Sequence, residues 1–170
     1  MEPKVNKKYW FAIYTKPRAE KKTYSKLTNK GIETYLPLQK TLKQWSDRKK
    51  WVEEPLFRSY IFVKVVEKEY LEVLKTNGVV YFVSFERKKV PVPDSQIQAI
   101  KRLLSNEIEF EVTTEKYDIN DSVEIIYGSL KGIQGTLIEY RGKRKVLIKV
   151  DSISQGLLID IPLVSLRKIN

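Results

Sequence analysis

Cysteine and histidine are both absent from the 170 residues. Their absence excludes disulfides, thiolate nucleophiles, zinc sites built from these ligands, and the usual general base near neutral pH. Long apolar runs are missing too. GVVYFVSF is among the longest, far short of the roughly 20 residues that a membrane helix needs. The opening MEPKVNKKYW lacks the apolar core of a secretory signal. No acid/base pair or nucleophile arrangement stands out, and Glu53-Glu54 is most simply a solvated pair in a charged segment. The expectation is a cytoplasmic, monomeric protein that is not an enzyme, with no cofactor, no metal and no membrane partner.

What the chain does have is rings and positive charge. Ten tyrosines, six phenylalanines and three tryptophans, within a hydrophobic fraction of 42%, are enough for real cores. The net charge of +11 is uneven. Residues 1–105 hold 23 Lys and Arg against 11 Asp and Glu, residues 106–117 one against four, and residues 118–170 eight against six. A basic first part suits a polyanionic partner, because released counterions favour association; a solubilising surface is the plainer alternative.

The change of charge marks an organisation of two halves, 1–105 and 118–170, joined by a linker at 106–117. The first half alternates strand and helix signals. YWFAIYT (9–15) reads as a buried strand. Pro17 suits a first helical turn, Ala19, Thr23 and Leu27 recur at helical spacing, and Gly31 fits the position past the helix end. Strands follow at 32–45, with Pro37 as a bulge or edge, at 53–66 and at 79–85, with a short helix at 67–78. A last helix carries Ile97, Ile100, Leu103 and Leu104 on one face. The order predicts an α+β fold with helices on an antiparallel sheet. Several short strands with tight turns predict a small β-barrel for the second half.

VEIIYGSLKGIQGTL (123–137) raises a separate question, because glycines either shape turns or cradle phosphate. Gly128 and Gly132 sit where one strand reverses into the next, and glycine reaches positive φ without steric cost. A phosphate loop leads into a helix, whereas IQGTLIEY is a β-type run. Turn geometry is the better reading.

YGSLKGIQGTL also resembles the KOW motif, with Gly128, Lys131, Gly132 and Gly135 as its turn. WFAIYTKPRAEKK, GIETYLPL, PLFRSYIFVKV, GVVYFVSF and VPVPDSQI resemble, in order, the N-terminal domain of the NusG family of transcription elongation and antitermination factors. Arg58-Ser59 stands where the family has Pro-Gly or Pro-Asn, which points to a specialised, RfaH-like paralogue. The His-Thr-Thr element of RfaH-like members is absent, the region reading Glu69-Tyr70-Leu71-Glu72, and Ser129-Leu130 replaces the frequent Pro-Phe of the KOW turn. The resemblance implies a domain that grips the clamp of RNA polymerase and touches upstream and non-template DNA, suppressing pausing or termination. It also implies a KOW domain that recruits a second factor, a ribosomal protein or Rho.

Carried over by position, Tyr14, Tyr60, Phe62 and Phe82 match the apolar polymerase-binding patch, although strand alternation turns Phe62 and Phe82 inwards more readily than the tyrosines. Trp10 is assigned to the core. Lys16, Arg18, Lys22 and Lys26 match cations that approach the non-template strand. Lysines at i, i+4 repel each other unless an anion lies opposite. KTLKQWSDRKKW (40–51) interleaves Lys43, Arg48, Lys49 and Lys50 with Trp45 and Trp51, a combination suited to single strands. The tryptophans either meet bases or pack back on the sheet. A KOW-type RNA- or ribosome-binding module is the alternative function, but that reading needs positive charge after residue 118, where the excess is small.

Overall fold

The computed structural model describes residues 7–115 and 121–169 and divides into two compact units, Met1–Val92 and Pro93–Asn170. The first runs β1 (Tyr9–Thr15), α1 (Glu20–Asn29), β2 (Glu33–Tyr35), β3 (Leu38–Gln44), β4 (Lys49–Pro55), β5 (Tyr60–Val65), α2 (Tyr70–Leu74), β6 (Val79–Phe82), β7 (Ser84–Phe85), β8 (Lys88–Lys89) and β9 (Pro91–Val92).

The unbroken apolar run of β1 makes it the centre of an antiparallel sheet, ordered β2-β5-β1-β6. Its C-terminal half pairs with β6 and its N-terminal half with β9. Trp10 to Ile13 are all buried, as expected of a strand covered on both faces. Phe11, Ile13, Ile61, Val63 and Val65 form the core with Leu27 of α1 and Val73 of α2. Truncating a fully buried residue such as Leu27 to alanine costs about 2–5 kcal/mol.

Three local expectations change. Pro17 is not in α1. Ala19 N–H donates to Lys16 O at 3.1 Å with Arg18 at φ 63°, the pattern of a type II turn with proline second. The expected strand 32–45 breaks at Pro37, which supplies no N–H for a ladder. The expected strand 53–66 breaks at Leu56–Ser59, because Ser59 adopts φ 65° and turns the chain. β3 and β4 consequently pair only with each other among the described residues. This hairpin is held at its base by Leu56 N–H to Pro37 O at 2.9 Å and by Lys21 Nζ to Glu53 O at 2.6 Å. Gly31, at φ 75°, ends α1 with Ile32 N–H donating back to Leu27 O, a Schellman-type closure.

The second unit contains α3 (Asp94–Ser105), β10 (Phe110–Thr113), β11 (Ser122–Ile125), β12 (Gln134–Tyr140), β13 (Lys143–Val150), β14 (Gln155–Ile159) and β15 (Leu166–Lys168). Its strands form an antiparallel sheet ordered β10-β14-β13-β12-β11-β15, the β-rich half that the turns foretold. Two boundaries differ from expectation. The last helix groups with the C-terminal strands, not with the first unit. Residues 110–113 of the expected linker form β10, pairing Phe110 with Ile159 and Val112 with Leu157; residues 116–120, which include the expected start of the KOW domain, lie outside the described residues. β10 is held down by Lys145 Nζ, which is 2.8 Å from Glu111 Oε1 and 3.3 Å from Asp160 Oδ2. Ile138, Leu147 and Leu158 pack as a buried cluster beneath Tyr140.

Candidate functional site

Antiparallel register brings three tyrosines into one row. Tyr14 of β1 lies opposite Tyr60 of β5 and opposite Tyr81 of β6. The Tyr14 and Tyr81 rings stack at 5.0 Å with planes 10° apart, and Tyr14 meets Tyr60 edge-on at 5.4 Å. Their strand neighbours Ile13, Thr15, Ile61 and Phe82 are buried on the other face. Tyr81 is 48% exposed and Tyr14 and Tyr60 are half-buried. Burial, then the neighbouring Tyr81 and Tyr14, raises the Tyr60 phenol above its ordinary pKa, so Tyr60 stays uncharged at neutral pH.

The two phenylalanines expected in this patch are core residues. Phe62 shares the face of Tyr60 but is fully buried, covered edge-on by Phe57 at 6.2 Å and by Tyr35 at 6.4 Å. Phe82 points the other way, against Phe11 and Tyr70 at 6.1 and 5.0 Å. Tyr81 takes the place that the sequence reading gave to Phe82. Its signal was present in VVYFVSF: if Phe82 turns in, Tyr81 turns out. Trp10 is 4% exposed, a core residue as expected.

A buried carboxylate sets the position of Tyr60. Glu20, 6% exposed, accepts the Ser59 N–H at 2.8 Å, while Ser59 O accepts the Thr15 N–H at 2.8 Å. The left-handed Ser59 is thus tied to α1 and to β1 at once, and Tyr60 leaves that turn in a fixed direction.

Beyond Tyr14 the chain turns through Lys16 and Arg18 into α1, where Lys22 and Lys26 lie one turn apart; all four are exposed. Lys21 joins α1 to the base of the β3–β4 hairpin. On that hairpin Lys43 faces Lys50, Gln44 faces Lys49 and Leu42 faces Trp51. Cross-strand partners share a face, so Lys43 and Lys50 occupy one side and Leu42, Trp51 and Lys49 the other. Lys43 bonds Glu54; Arg48 closes the tip, its carbonyl accepting the Trp45 N–H at 2.8 Å. Trp45 and Trp51 are 52% and 66% exposed. At that exposure they do not pack back on the sheet.

In the second unit Gly128 and Gly132 have φ of 81° and 87°. Gly132 N–H donates to Ile125 O at 2.7 Å, so both glycines shape a turn, with Lys131 exposed between them. Gly135 is not part of it. It lies in β12 opposite Val123, where a Cβ would sit 2.7 Å from Val146 Cγ1 and 2.8 Å from Leu147 O; its need is for close packing. Leu130, at the turn's apex, is buried. Arg102 of α3 donates to the carbonyls of Ser129 and Lys131, the latter at 2.8 Å. A cleft of about 530 Å³ beside this contact is lined by Gln96, Arg102, Gln134 and Lys149 among others, with no paired carboxylates. Among the described residues no three Asp or Glu come together as a metal site, and no helix is long and apolar enough to cross a membrane.

The family model described as "Transcription termination factor nusG" matches residues 8–101, more than half of the chain. A comparison with curated sequences gives no match. Among solved structures, NusG of Thermotoga maritima, from a study of its domain interaction, aligns with 96% of this chain and 98% of its own at 24% identity and a TM-score of 0.54. Two conformations of the MjSpt4:Spt5 complex align with 95% of this chain, and with 97% and 98% of their own, at 15% and 18% identity and TM-scores of 0.33 and 0.26. The T. maritima protein shares the fold, and the family match over the sheet that carries the tyrosine row establishes kinship: the chain belongs to the NusG family, transcription factors and not enzymes.

Proposed function

We propose that this factor binds RNA polymerase through the Tyr14–Tyr60–Tyr81 row and lays its neighbouring cations along upstream and non-template DNA. Bound in this way, it favours elongation over pausing or termination. The row carries the reading. Three rings in stacked and edge-on contact form an aromatic surface with polar tips, the composition that dominates protein interfaces. Lys16, Arg18, Lys22, Lys26, Lys43, Arg48, Lys49 and Lys50, all exposed and within the same unit, supply the anionic attraction. A bridge of this kind acts by binding the elongating polymerase better than the paused one, and shifts the balance by no more than that difference. The turn at Gly128–Gly132 offers a second partner surface, for a ribosomal protein or Rho.

The test is co-elution with core RNA polymerase, followed by transcription through a terminator. Tyr14→Ala combined with Tyr60→Ala is expected to weaken polymerase binding about tenfold or more, equivalent to about 1.4 kcal/mol, and to abolish read-through. Undiminished binding by the double variant would remove the row from the interface.

A further inference from the structure

The β7–β8 hairpin was not among the expected contact residues. Its two strands pair Ser84 with Lys89 and Phe85 with Lys88. Its tip, Glu86-Arg87, holds two consecutive non-glycine residues at φ 48° and 63°, where Asn-Gly is the relaxed choice. Holding such residues in the left-handed region costs free energy, and outliers of this kind concentrate at binding sites.

The two faces of this small hairpin differ. Lys89 Nζ lies 4.4 Å over the Tyr70 ring and 5.7 Å over Phe82, so the Ser84–Lys89 face is fixed against core aromatics. The opposite face therefore presents Phe85 and Lys88 outwards. Phe85 is 69% exposed, Lys88 lies across from it on the same face, and Arg87 at the tip is exposed, with Glu86 the sole acid of the hairpin. A solvated ring flanked by Lys88 and Arg87 differs from the core of a protein interface, which is depleted of charge. Its chemistry suits an unpaired base that stacks while its phosphates meet the cations.

We propose that the β7–β8 hairpin is a second single-strand contact, with Phe85 stacking on a base and Lys88 and Arg87 pairing with the flanking phosphates. It rests on the reading that this unit lies along exposed bases. A duplex offers no free base face, so the contribution of Phe85 belongs to single strands alone.

Fluorescence anisotropy of the full chain with labelled oligothymidylate and with a blunt duplex tests this. Phe85→Ala and Phe85→Leu are each expected to weaken single-strand binding about fivefold or more, and Phe85→Trp to restore it. Duplex binding is expected to stay unchanged in all three. Lys88→Gln should lower the salt slope of single-strand binding by about 0.7. The side chain is exposed, so these variants keep the wild-type circular dichroism. Wild-type affinity in Phe85→Leu would mean contact without stacking, and equal losses on both DNAs would mean no preference for bases; either overturns the proposal alone. A loss confined to polymerase co-elution would make the hairpin a protein contact and also overturn it. Failure of the wild type to bind single strands would remove this proposal together with the wider DNA reading.

Discussion

Tyr81 and Tyr14, stacked at 5.0 Å, show what a single residue contributes here and how far it could be foreseen. Alternation in VVYFVSF separates an inward Phe82 from an outward Tyr81, but only the register with β1 reveals that Tyr81 joins Tyr14. Phe62 carries the complementary lesson. It shares the tyrosine face, and what buries it is Phe57, from a turn whose left-handed Ser59 no periodicity announces. A double-mutant cycle on Tyr14→Ala and Tyr81→Ala is expected to yield a coupling of about 0.5–1.5 kcal/mol in urea denaturation; additive losses would mean that the stack is incidental. Gly78 is a second residue-level case. It has φ 107°, and a Cβ there would overlap the hydroxyl of Thr23, which is fully buried. Gly78→Ala should destabilise the first unit by at least about 1–3 kcal/mol, measured by urea denaturation, whereas Gly31→Ala, with open space around it, should incur only the backbone strain.

At the scale of the element, the hairpins and β10 were the features hardest to read. The β3–β4 hairpin hid inside two longer apparent strands because Pro37 and Ser59 break them by backbone geometry, not by a change in polarity. β10 hid inside an acidic segment because its alternation, Phe110 and Val112, spans only four residues. Its attachment depends on the Glu111–Lys145–Asp160 group. The Lys145 hydrogen bond, outweighing the effect of burial, holds the Glu111 carboxyl below its ordinary value of 4.5, and the same bond holds the Lys145 ammonium above its ordinary 10.5. For the carboxylate, the stabilisation is present above 4.5 and is lost as pH falls through the lowered folded value. For the ammonium, it is present below 10.5 and is lost as pH rises through the raised one. Unfolding of the second unit followed by tryptophan-independent far-UV circular dichroism should therefore show acid sensitivity below 4.5 that Glu111→Gln reduces. An unchanged acid profile in that variant would show that β10 is held by its backbone ladder alone.

For the whole molecule, the division into a mixed first half and a β-rich second half was legible from hydrophobic period and turn residues. The amphipathic α3 fits either side of the boundary: it groups with the second unit by compactness, while the family match extends to residue 101. The placement of charge was equally legible: the excess cations fall before residue 106. Salt should therefore govern nucleic-acid binding. Replacing Lys16, Arg18, Lys22 and Lys26 together by glutamine is expected to lower the slope of log K against log salt by up to about 3 on single-stranded DNA. The corresponding change at Arg141, Lys143, Arg144 and Lys149 should leave that slope nearly unaltered. Parity between the two sets would favour an RNA-binding role for the second unit.

The tyrosine row is drawn from β1, β5 and β6, which lie far apart along the chain and become neighbours only when the sheet closes. No fragment ending before Tyr81 can display it. Under the function proposed above, the nascent polypeptide gains its polymerase contact only after that residue has left the ribosome and long-range pairing is complete. On that proposal, possession of the row doubles as a proofreading mark of finished folding, since a copy truncated before Tyr81 cannot assemble it.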